Sequence, residues 1–536
     1  MRWSTFGLLL PIVLFLAYYY RFPDLGLRPM HTDEANLGVK FLDFWRTGVF
    51  HYNPDDHHGP LLHFITRAYA WIAHWHDPLL VTEAGLRSVV AVTGVLVVLV
   101  TLLLTDVLGR MATIMAMLMM AVSPIMVFYS RYFIMEMLFV LLLALFIIAC
   151  WRFAQGRSIL WLLAAGVCLG GLHATKETFV INMAAMFCGW VVARQLTEGF
   201  VVRTSGLRLN MGRKRGGIRH PALWILVIGV AVSVTLFSGL YRHWDDVVAS
   251  VTTYSSYWKR SGGAGGHEKP WYYYALLLFW AHGEDGKLWT EALVGGLALL
   301  GILHAFFGTF RRETAHRQAF LIFLSVYALA ALTAYSLIPY KTPWTILSVQ
   351  WAFILLAGVG AQALFAAFQG RFMRLILGLG LVAGCLHLCR QSIAAVHDPQ
   401  AARHHLNQAN LNVPYAYTHT GFDALKLITR LRELAAVGRG DFSAQVIGVD
   451  SGWPLPWYLR DLQTIGYQTT VPADLKAPVI VVDAGLKKAV EAKIDIKAYE
   501  QPNFALRPGV FVVLLVEKGL WDRLLAAKQE AAGKKP

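Results

Sequence analysis

Long apolar runs separated by short polar segments fill the chain up to about residue 394. A helix needs roughly 20 apolar residues to cross the hydrocarbon core of a bilayer, and several runs reach that length with their flanking aromatic residues. The pattern predicts an α-helical polytopic membrane protein with about 11 (10–13) transmembrane helices, the first of them an uncleaved N-terminal helix. The predicted spans lie near residues 5–20, 88–109, 111–129, 133–151, 159–174, 178–193, 221–240, 289–308, 318–338, 344–367 and 372–392.

Two further segments of this membrane part have a different pattern. Residues 21–87, between the first two spans, mix apolar and Trp-rich positions with His and Arg, as amphipathic helices in the membrane interface do. The run WYYYALLLFWAH (271–282) is too short for a confident span, so it is predicted to be an interfacial or re-entrant helix or the start of a further crossing.

After about residue 395 the pattern changes to short apolar runs with polar turns. AQVIGVD (444–450), APVIVVDA (477–484) and PGVFVVLLVE (508–517) are typical of buried strands. ALKLITRLRELAAV (424–437) and DAGLKKAVEAKI (483–494) have helical periodicity. We therefore expect a transmembrane domain at 1–394 with a long first outer loop at 21–87, and a small soluble α/β domain at 395–536 on the outer face.

The charge distribution orients these spans. The chain is 56% hydrophobic and only 15% charged, yet it carries a net charge of +15. With the N-terminus in the cytoplasm, basic residues recur in every cytoplasmic loop, as the positive-inside rule requires. The run RLNMGRKRGG (208–217) is then a topology signal, and no nucleic-acid partner is expected, since aromatic residues do not interleave its charges.

The same orientation gathers the unusual polar segments on the outer face. These are MHTDEANLG, YNPDDHHGPLLHF, YSRYFIMEM, HATKET, YRHWDD, YWKRSGGAGGHEKPW, AHGEDGK and IPYKTPW. Charge near the hydrocarbon is costly, so the gathering indicates a functional site rather than unrelated solvated loops. The five cysteines lie in apolar runs and indicate neither a disulfide framework nor a zinc site; Cys385, His387 and Cys389 are expected to pack or face lipid.

Carboxylates, basic residues and aromatic residues at a membrane surface suit sugar transfer from a polyprenyl phosphate. A carboxylate can deprotonate an acceptor hydroxyl as it attacks the anomeric carbon. Phosphate is already a competent leaving group and needs cations rather than a proton, which Arg131, Lys176 and Lys341 can supply at outer helix ends.

The order of HTDEA, SRYFIMEM and HATKET resembles the GT-C membrane glycosyltransferases, in particular the protein O-mannosyltransferase and aminoarabinose transferase relatives (glycosyltransferase family 39-like). Together with HHGPLLHF, PYKTPW and WPLPWYLRD, these motifs look like the flippase-activity-associated Agl23-like group. The resemblance implies an inverting transferase that uses an isoprenoid-phosphate-linked sugar. It places catalysis on Asp33 and Glu34, with Asp33 as base and Glu34 as its partner or a substrate-positioning group.

Several neighbours of these residues have two interpretations each. Asp55, Asp56 and His57 are candidate ligands of a divalent metal, although no cofactor is expected, and His58 binds phosphate or fixes the loop. Glu136 and Glu177 contact substrate or neutralise Arg131 and Lys176. Tyr340 and Trp344 line a sugar or isoprenoid path or belong to the interfacial aromatic belt.

The leading hypothesis is a glycosyltransferase of the cytoplasmic (inner) membrane with its active face in the periplasm or outside the cell. Its partners are the bilayer, a polyprenyl-phosphate sugar and an acceptor that the sequence does not define. The alternative is a non-catalytic component of lipid-linked sugar flipping, and a third hypothesis is a scaffold anchored in the membrane. Few charges lie at mid-helix and no repeat is evident, which favours the enzyme.

Overall fold

The computed structural model describes residues 3–54, 58–156, 158–205, 220–261, 267–283, 286–308, 315–396, 413–448 and 452–533. In chain order the helices are α1 (Trp3–Tyr19), α2 (Thr32–Thr47), α3 (Leu61–Ile72), α4 (Glu83–Val100), α5 (Thr105–Leu108), α6 (Arg110–Val122), α7 (Pro124–Tyr129), α8 (Glu136–Gly156), α9 (Ile159–His173), α10 (Phe179–Ser205), α11 (Pro221–Phe237), α12 (Trp244–Ser261), α13 (Tyr273–Phe279), α14 (Ala292–Phe307), α15 (Ala315–Leu337), α16 (Leu347–Ala367), α17 (Arg371–Val396), α18 (Phe422–Gly438), α19 (Leu455–Tyr458), α20 (Lys487–Glu491) and α21 (Lys518–Gly533). The strands are β1 (Ala281–His282), β2 (Leu288–Trp289), β3 (Ala444–Ile447), β4 (Ile465–Gln468), β5 (Val479–Asp483), β6 (Tyr499–Glu500), β7 (Asn503–Arg507) and β8 (Val510–Glu517).

The chain folds as two compact units whose boundaries differ from the predicted domains. The second unit contains the expected C-terminal domain, and it also takes in two pieces of the first outer loop. The first unit comprises Met1–Leu25, Thr47–His74 and Ala84–His397, and the second comprises Gly26–Arg46, Trp75–Glu83 and Asp398–Pro536. Helix α2, which carries Asp33 and Glu34, therefore belongs to the second unit.

The first unit is built from apolar helices. Among the described residues, six helices are long and apolar enough to cross a membrane: Glu83–Leu108, Glu136–Gly156, Phe179–Thr197, Ala315–Leu337, Pro343–Ala367 and Arg371–Val396. Five shorter apolar helices accompany them: Ser4–Tyr19, Arg110–Val122, Ile159–His173, Pro221–Phe237 and Ala292–Phe307. These eleven helices coincide with the eleven predicted spans, whereas the run at 271–282 forms only the short α13 and strand β1.

Small residues let several of these helices touch backbone to backbone. A Cβ added to Gly301 of α14 would overlap the carbonyl group of Leu356 in α16, and one added to Gly360 would overlap that of Leu297. A Cβ added to Gly170 of α9 would likewise overlap the carbonyl oxygen of Gly229 in α11. Close packing of this kind replaces the hydrophobic driving force that helices lack inside lipid.

The second unit has a mixed sheet at its centre. The strand order is β4-β3-β5-β8, and both β6 and β7 pair with the far side of β8. Strands β3, β4 and β5 run parallel, and β8 is antiparallel to β5. Successive side chains of β5 alternate between two cores, with Val479 and Val481 in one and Ile480 and Val482 in the other. The first core is completed by α18 and α21, and the second includes Val490 of α20.

The expected α/β character of this region is confirmed, with local differences. The three predicted strands and the helix at 424–437 correspond to β3, β5, β8 and α18. The helix expected at 483–494 is reduced to Lys487–Glu491. Strands β4, β6 and β7 and helix α21 were not predicted, because their runs are short or only weakly apolar.

Candidate active site

The adjacent carboxylates at the start of α2 lie in different environments. Glu34 is fully buried, and its Oε2 accepts a hydrogen bond of 3.0 Å from the backbone N–H of His31, the residue before the helix. This is the glutamate half of a capping box. The side chain of Asp33 is 50% exposed, and its Oδ2 lies 3.9 Å from Nδ1 of His31, too far for a hydrogen bond. Asp33 is therefore the carboxylate that remains accessible.

The imidazole of His31 caps the same helix. Its Nδ1 accepts a hydrogen bond of 3.1 Å from the backbone N–H of Asp33. The proton of the neutral ring then sits on Nε2, which donates to the carbonyl oxygen of Tyr417 at 3.1 Å, with the hydroxyl of Thr418 at 3.3 Å. His31 is buried and its ring packs against that of His419 at 5.2 Å.

Three further hydrogen bonds hold the segment around this cap, two of them to the backbone of Met30 and one to the hydroxyl of Thr32. The hydroxyl of Tyr458 accepts from the N–H of Met30 at 2.8 Å, and Thr420 Oγ1 donates to the carbonyl oxygen of Met30 at 2.6 Å. Arg507 Nη1 donates to Thr32 Oγ1 at 2.7 Å. Sequence reasoning missed Thr420 and Arg507, and it quoted Tyr458 only within WPLPWYLRD. The unusual polar run YTHTG (417–421) was the available signal for Thr420, and no such signal marked Arg507.

In the first unit, Lys176 and Glu136 form a buried ion pair, with Nζ 2.5 Å from Oε1. Burial alone would lower the pKa of Lys176, but the Glu136 carboxylate, together with Tyr335 and Glu177, raises that pKa above its ordinary value. The second oxygen of Glu136 is buried without a hydrogen-bond partner in the described structure. Both side chains line a small pocket that also includes Trp344, Tyr335 and Ser348. The structure thus brings three predicted residues, Glu136, Lys176 and Trp344, to one place.

Glu177 bonds His58 rather than its sequence neighbour Lys176. The distance between His58 Nδ1 and Glu177 Oε2 is 2.7 Å, and the hydroxyl of Tyr52 lies 3.4 Å from Oε1. Burial favours a higher pKa for Glu177, but the positive field and hydrogen bond of His58 hold it below its ordinary value. The turn after His58 packs closely, because a Cβ at Gly59 would overlap the carbonyl group of Ala174. The HHGP and ATKE motifs therefore meet in space.

Lys341 is 1% exposed and bonds only to backbone carbonyl groups among the described residues. Its Nζ donates to the carbonyl oxygen of Ile338 at 2.5 Å and to that of Lys269 at 3.0 Å. Burial lowers the pKa of this ammonium group. Next to it, Tyr340 is 40% exposed and its ring lies at a tilt against that of His267, 4.9 Å between centroids, whereas Trp344 is buried against Tyr129.

Arg131 is buried in the first unit beside a second arginine that the sequence did not single out. Its Nη1 donates to the carbonyl oxygen of Arg21 at 3.1 Å. The side chain of Arg21 is fully buried and bonds the hydroxyl of Ser130 and the carbonyl oxygens of Met120 and Ala121. These bonds anchor the end of the first span to the segment that carries Arg131. Burial lowers the pKa of Arg21 to about 9.

The metal candidates Asp55, Asp56 and His57 lie outside the described residues. Within the described ranges, no group of three or more His, Cys, Asp or Glu side chains is placed to hold a metal ion. Metal dependence stays open as a hypothesis. The candidate site residues are divided between the units: Asp33 and Glu34 belong to the second unit and all the other described candidates to the first.

Part of the sequence matches a known family. The model of the dolichyl-phosphate-mannose-protein mannosyltransferases matches residues 57–211. This segment contains the His58–Glu177 and Glu136–Lys176 pairs and Arg131. None of the curated proteins compared with the sequence matches it.

Solved structures resemble nearly the whole chain. ArnT from Cupriavidus metallidurans bound to undecaprenyl phosphate is 14% identical, with a TM-score of 0.61 over 97% of this chain and 99% of ArnT. The Archaeoglobus fulgidus oligosaccharyltransferase, tethered with an acceptor peptide containing the NVT sequon, is 12% identical, with a TM-score of 0.55 over 91% of this chain and 70% of its own.

The class that these similarities define is the GT-C fold of membrane glycosyltransferases. The fold predicted from the order of the motifs is therefore confirmed. Assignment to the narrower flippase-activity-associated group stays a prediction.

Proposed function

We propose that the chain transfers a sugar from a polyprenyl-phosphate-linked donor to an acceptor hydroxyl or amide, with inversion at the anomeric carbon. Asp33 takes the proton of the acceptor as the acceptor atom bonds to the anomeric carbon. The bond from that carbon to the phosphate oxygen breaks, and the polyprenyl phosphate leaves with the electron pair. The structure of ArnT, which has the same fold, contains undecaprenyl phosphate and supports this donor class.

The observation that carries the proposal is the unequal environment of the two adjacent carboxylates. Glu34 is buried, and its carboxylate accepts a hydrogen bond from the backbone N–H of His31 in the N-terminal cap of its own helix. Asp33 is half exposed, and its backbone is held by His31. A general base must be able to reach the proton it abstracts, and a buried capping carboxylate is not free to do so. Asp33 is thus the base, and Glu34 positions it.

The cations of the first unit are proposed to stabilise the phosphate. Lys341 is the best placed by charge, because neutral carbonyl groups bind its ammonium without cancelling its charge. The charge of Lys176 is already matched by Glu136. We propose that Lys341 and Arg131 bind phosphate oxygens, while the Glu136–Lys176 pair and Trp344 contact the sugar or the start of the isoprenoid. The active face is proposed to be the outer face of the cytoplasmic membrane.

The decisive experiment measures transfer from a labelled polyprenyl-phosphate sugar in membranes that contain Asp33→Asn. We expect transfer to fall by about 10²- to 10⁴-fold, the range that general base catalysis contributes. The matched control is Glu34→Gln at the neighbouring carboxylate. We expect this variant to lower the unfolding temperature and to retain more activity than Asp33→Asn. Equal activity of Asp33→Asn and the wild type would remove Asp33 as base, whereas absence of transfer by the wild type would favour the flipping hypothesis.

A further inference from the structure

The segment that leads into α2 is held by residues that lie far away in the sequence. The hydrogen bonds to Met30, His31 and Thr32 come from residues 386 to 475 positions later in the chain. The donors and acceptors are the carbonyl oxygen of Tyr417 and the side chains of Thr420, Tyr458 and Arg507, all within the second unit. We refer to these four residues as the clamp.

The clamp makes more hydrogen bonds than the start of a helix requires. An N-cap needs side chains to satisfy the first free N–H groups of the helix, and His31 and Glu34 already do this. The clamp instead binds the backbone on both sides of Met30 and the hydroxyl of Thr32. Met30 and His31 are almost fully buried, with 0% and 2% exposure. Their polar groups therefore need protein partners, and these partners fix the direction in which α2 starts.

We propose that the clamp residues are positioning residues for Asp33, so that the C-terminal α/β region is part of the catalytic apparatus rather than a separate module. The proposal rests on the proposed role of Asp33 as base. Tyr458 and Thr420 fix Met30, Arg507 fixes Thr32, and Tyr417 fixes the His31 ring that holds the N–H of Asp33. The Asp33 side chain keeps its accessible carboxylate while its backbone cannot shift.

This arrangement predicts a specific kinetic effect. A general base acts only within hydrogen-bonding reach of the proton, and a displacement of 1 Å can cost about 10²-fold in rate. Loosening the clamp should therefore lower kcat, while the KM for the donor stays unchanged because none of the clamp residues is among those proposed to bind the donor. A merely structural role would lower the unfolding temperature and leave kcat per folded molecule intact.

His31 allows the cap and the clamp to be separated. In His31→Asn the amide oxygen takes the place of Nδ1 and still accepts from the N–H of Asp33, but the link to Tyr417 is lost. In His31→Gln the amide nitrogen takes the place of Nε2 and keeps that link, but the cap is lost. We expect His31→Asn to keep α2 helical and yet lower kcat about tenfold.

The main experiment uses the full chain with Tyr458→Phe, Thr420→Val and Arg507→Leu. Tyr499→Phe is the control for Tyr458→Phe, because it removes a hydroxyl bonded to the carbonyl oxygen of Ala477 elsewhere in the same unit. Two quantities are measured: the kcat and KM for a polyprenyl-phosphate sugar, and hydrogen–deuterium exchange of a peptide that covers residues 27–37.

We expect each clamp variant to lower kcat about tenfold and to speed exchange at the amides of residues 30–33, while Tyr499→Phe changes neither. Unchanged exchange in all three variants would contradict the proposal that these residues hold the start of α2, whether or not the protein transfers sugar. Faster exchange with unchanged kcat would overturn its link to catalysis. Absence of transfer by the wild type would count against the proposed function alone, because the exchange experiment does not depend on activity.

Discussion

Lys341 is a buried cation whose hydrogen-bond partners in the described structure are all neutral. Taking an ammonium group out of water costs several kcal/mol unless an opposite charge offsets the loss. Its two partners are the carbonyl oxygens of Ile338 and Lys269, which orient the ammonium but carry no net charge. An anionic ligand would supply the missing charge and restore the pKa that burial lowers. This is the physical basis for assigning a phosphate contact to Lys341.

Replacing Lys341 by methionine should therefore weaken donor binding without unfolding the protein. A charge-assisted hydrogen bond contributes about 1.5–3 kcal/mol, so we expect the KM for the donor to rise roughly 10- to 100-fold. The unfolding temperature should not fall, because the substitution also removes a buried charge. The measurement is a titration of transfer rate against a polyprenyl-phosphate sugar.

Lys287→Met is the matched control, since Lys287 is an exposed lysine outside the candidate site. A KM for Lys341→Met that equals the wild-type value would exclude Lys341 from the phosphate site. A large loss of stability in this variant would indicate that Lys341 has only a structural role, through its bonds to two carbonyl groups.

The sequence identified the chemically important residues better than it identified their partners. HTDEA indicated both carboxylates, but only the structure shows that Glu34 is used in the cap and Asp33 is not. Similarly, Glu136 pairs with Lys176, which lies 40 positions away, and Glu177 pairs with His58. Neighbouring side chains in a turn point in different directions, so adjacency in the sequence does not predict which charges meet.

The bond between Glu177 and His58 joins the loop after α9 to the loop before α3. The stability that this contact contributes should depend on pH, and the sign of the dependence follows from the pKa of Glu177. Because the pKa of Glu177 is lowered in the folded protein, its carboxylate stabilises the fold above about pH 4.3, the ordinary glutamate value. That contribution is lost as the pH falls through the lowered pKa. The positive charge of Lys176 lowers the pKa of Glu177 further, and the hydroxyl of Tyr52 lies 3.4 Å from Oε1 of this carboxylate.

We expect Glu177→Gln to cost about 2 kcal/mol near pH 6, a magnitude typical of a hydrogen bond to a charged group. The difference in unfolding temperature between wild type and variant should narrow below about pH 4. Thermal unfolding of the purified protein in detergent, followed across this pH range, provides the measurement. Glu268→Gln at an exposed glutamate is the control, and a difference that is independent of pH would contradict the ion pair.

Elements with a strong local signal were predictable, and those that depend on distant contacts were not. Each apolar run of sufficient length became a helix, because a spanning segment must satisfy its backbone internally. Strands β5 and β8 are apolar on both faces and were predicted from that pattern. Strand β6 has two residues and β4 is only partly buried, so their existence depends on the neighbours β8 and β3.

At the level of the whole chain, the division into units could not be derived from composition. Helix α2 follows the first apolar span directly, so the sequence predicted that it belongs to the membrane domain. It folds with the C-terminal region because Met30, His31 and Thr32 bond to residues near 417–420, 458 and 507. Periodicity within a window of 11–18 residues carries no information about contacts between residues almost 400 positions apart.

The orientation of the chain in the membrane remains a prediction, and two exposed positions make it testable. Gln155 lies at the end of α8, near Arg152, in a loop predicted to be cytoplasmic. Lys287 lies before strand β2, in the AHGEDGK segment predicted to be outside. Each is replaced by cysteine in a chain whose five native cysteines have been changed to alanine or serine.

A membrane-impermeant maleimide added to intact cells, or to spheroplasts where an outer membrane blocks access, should label Lys287→Cys and leave Gln155→Cys unlabelled until the membrane is permeabilised. The reason is that Lys and Arg near the ends of spans are retained on the cytoplasmic side. Labelling of both positions after permeabilisation is the internal control for accessibility. The opposite pattern would place the polar segments in the cytoplasm, and the proposed outer active face would then be wrong even if Asp33 proved to be the base.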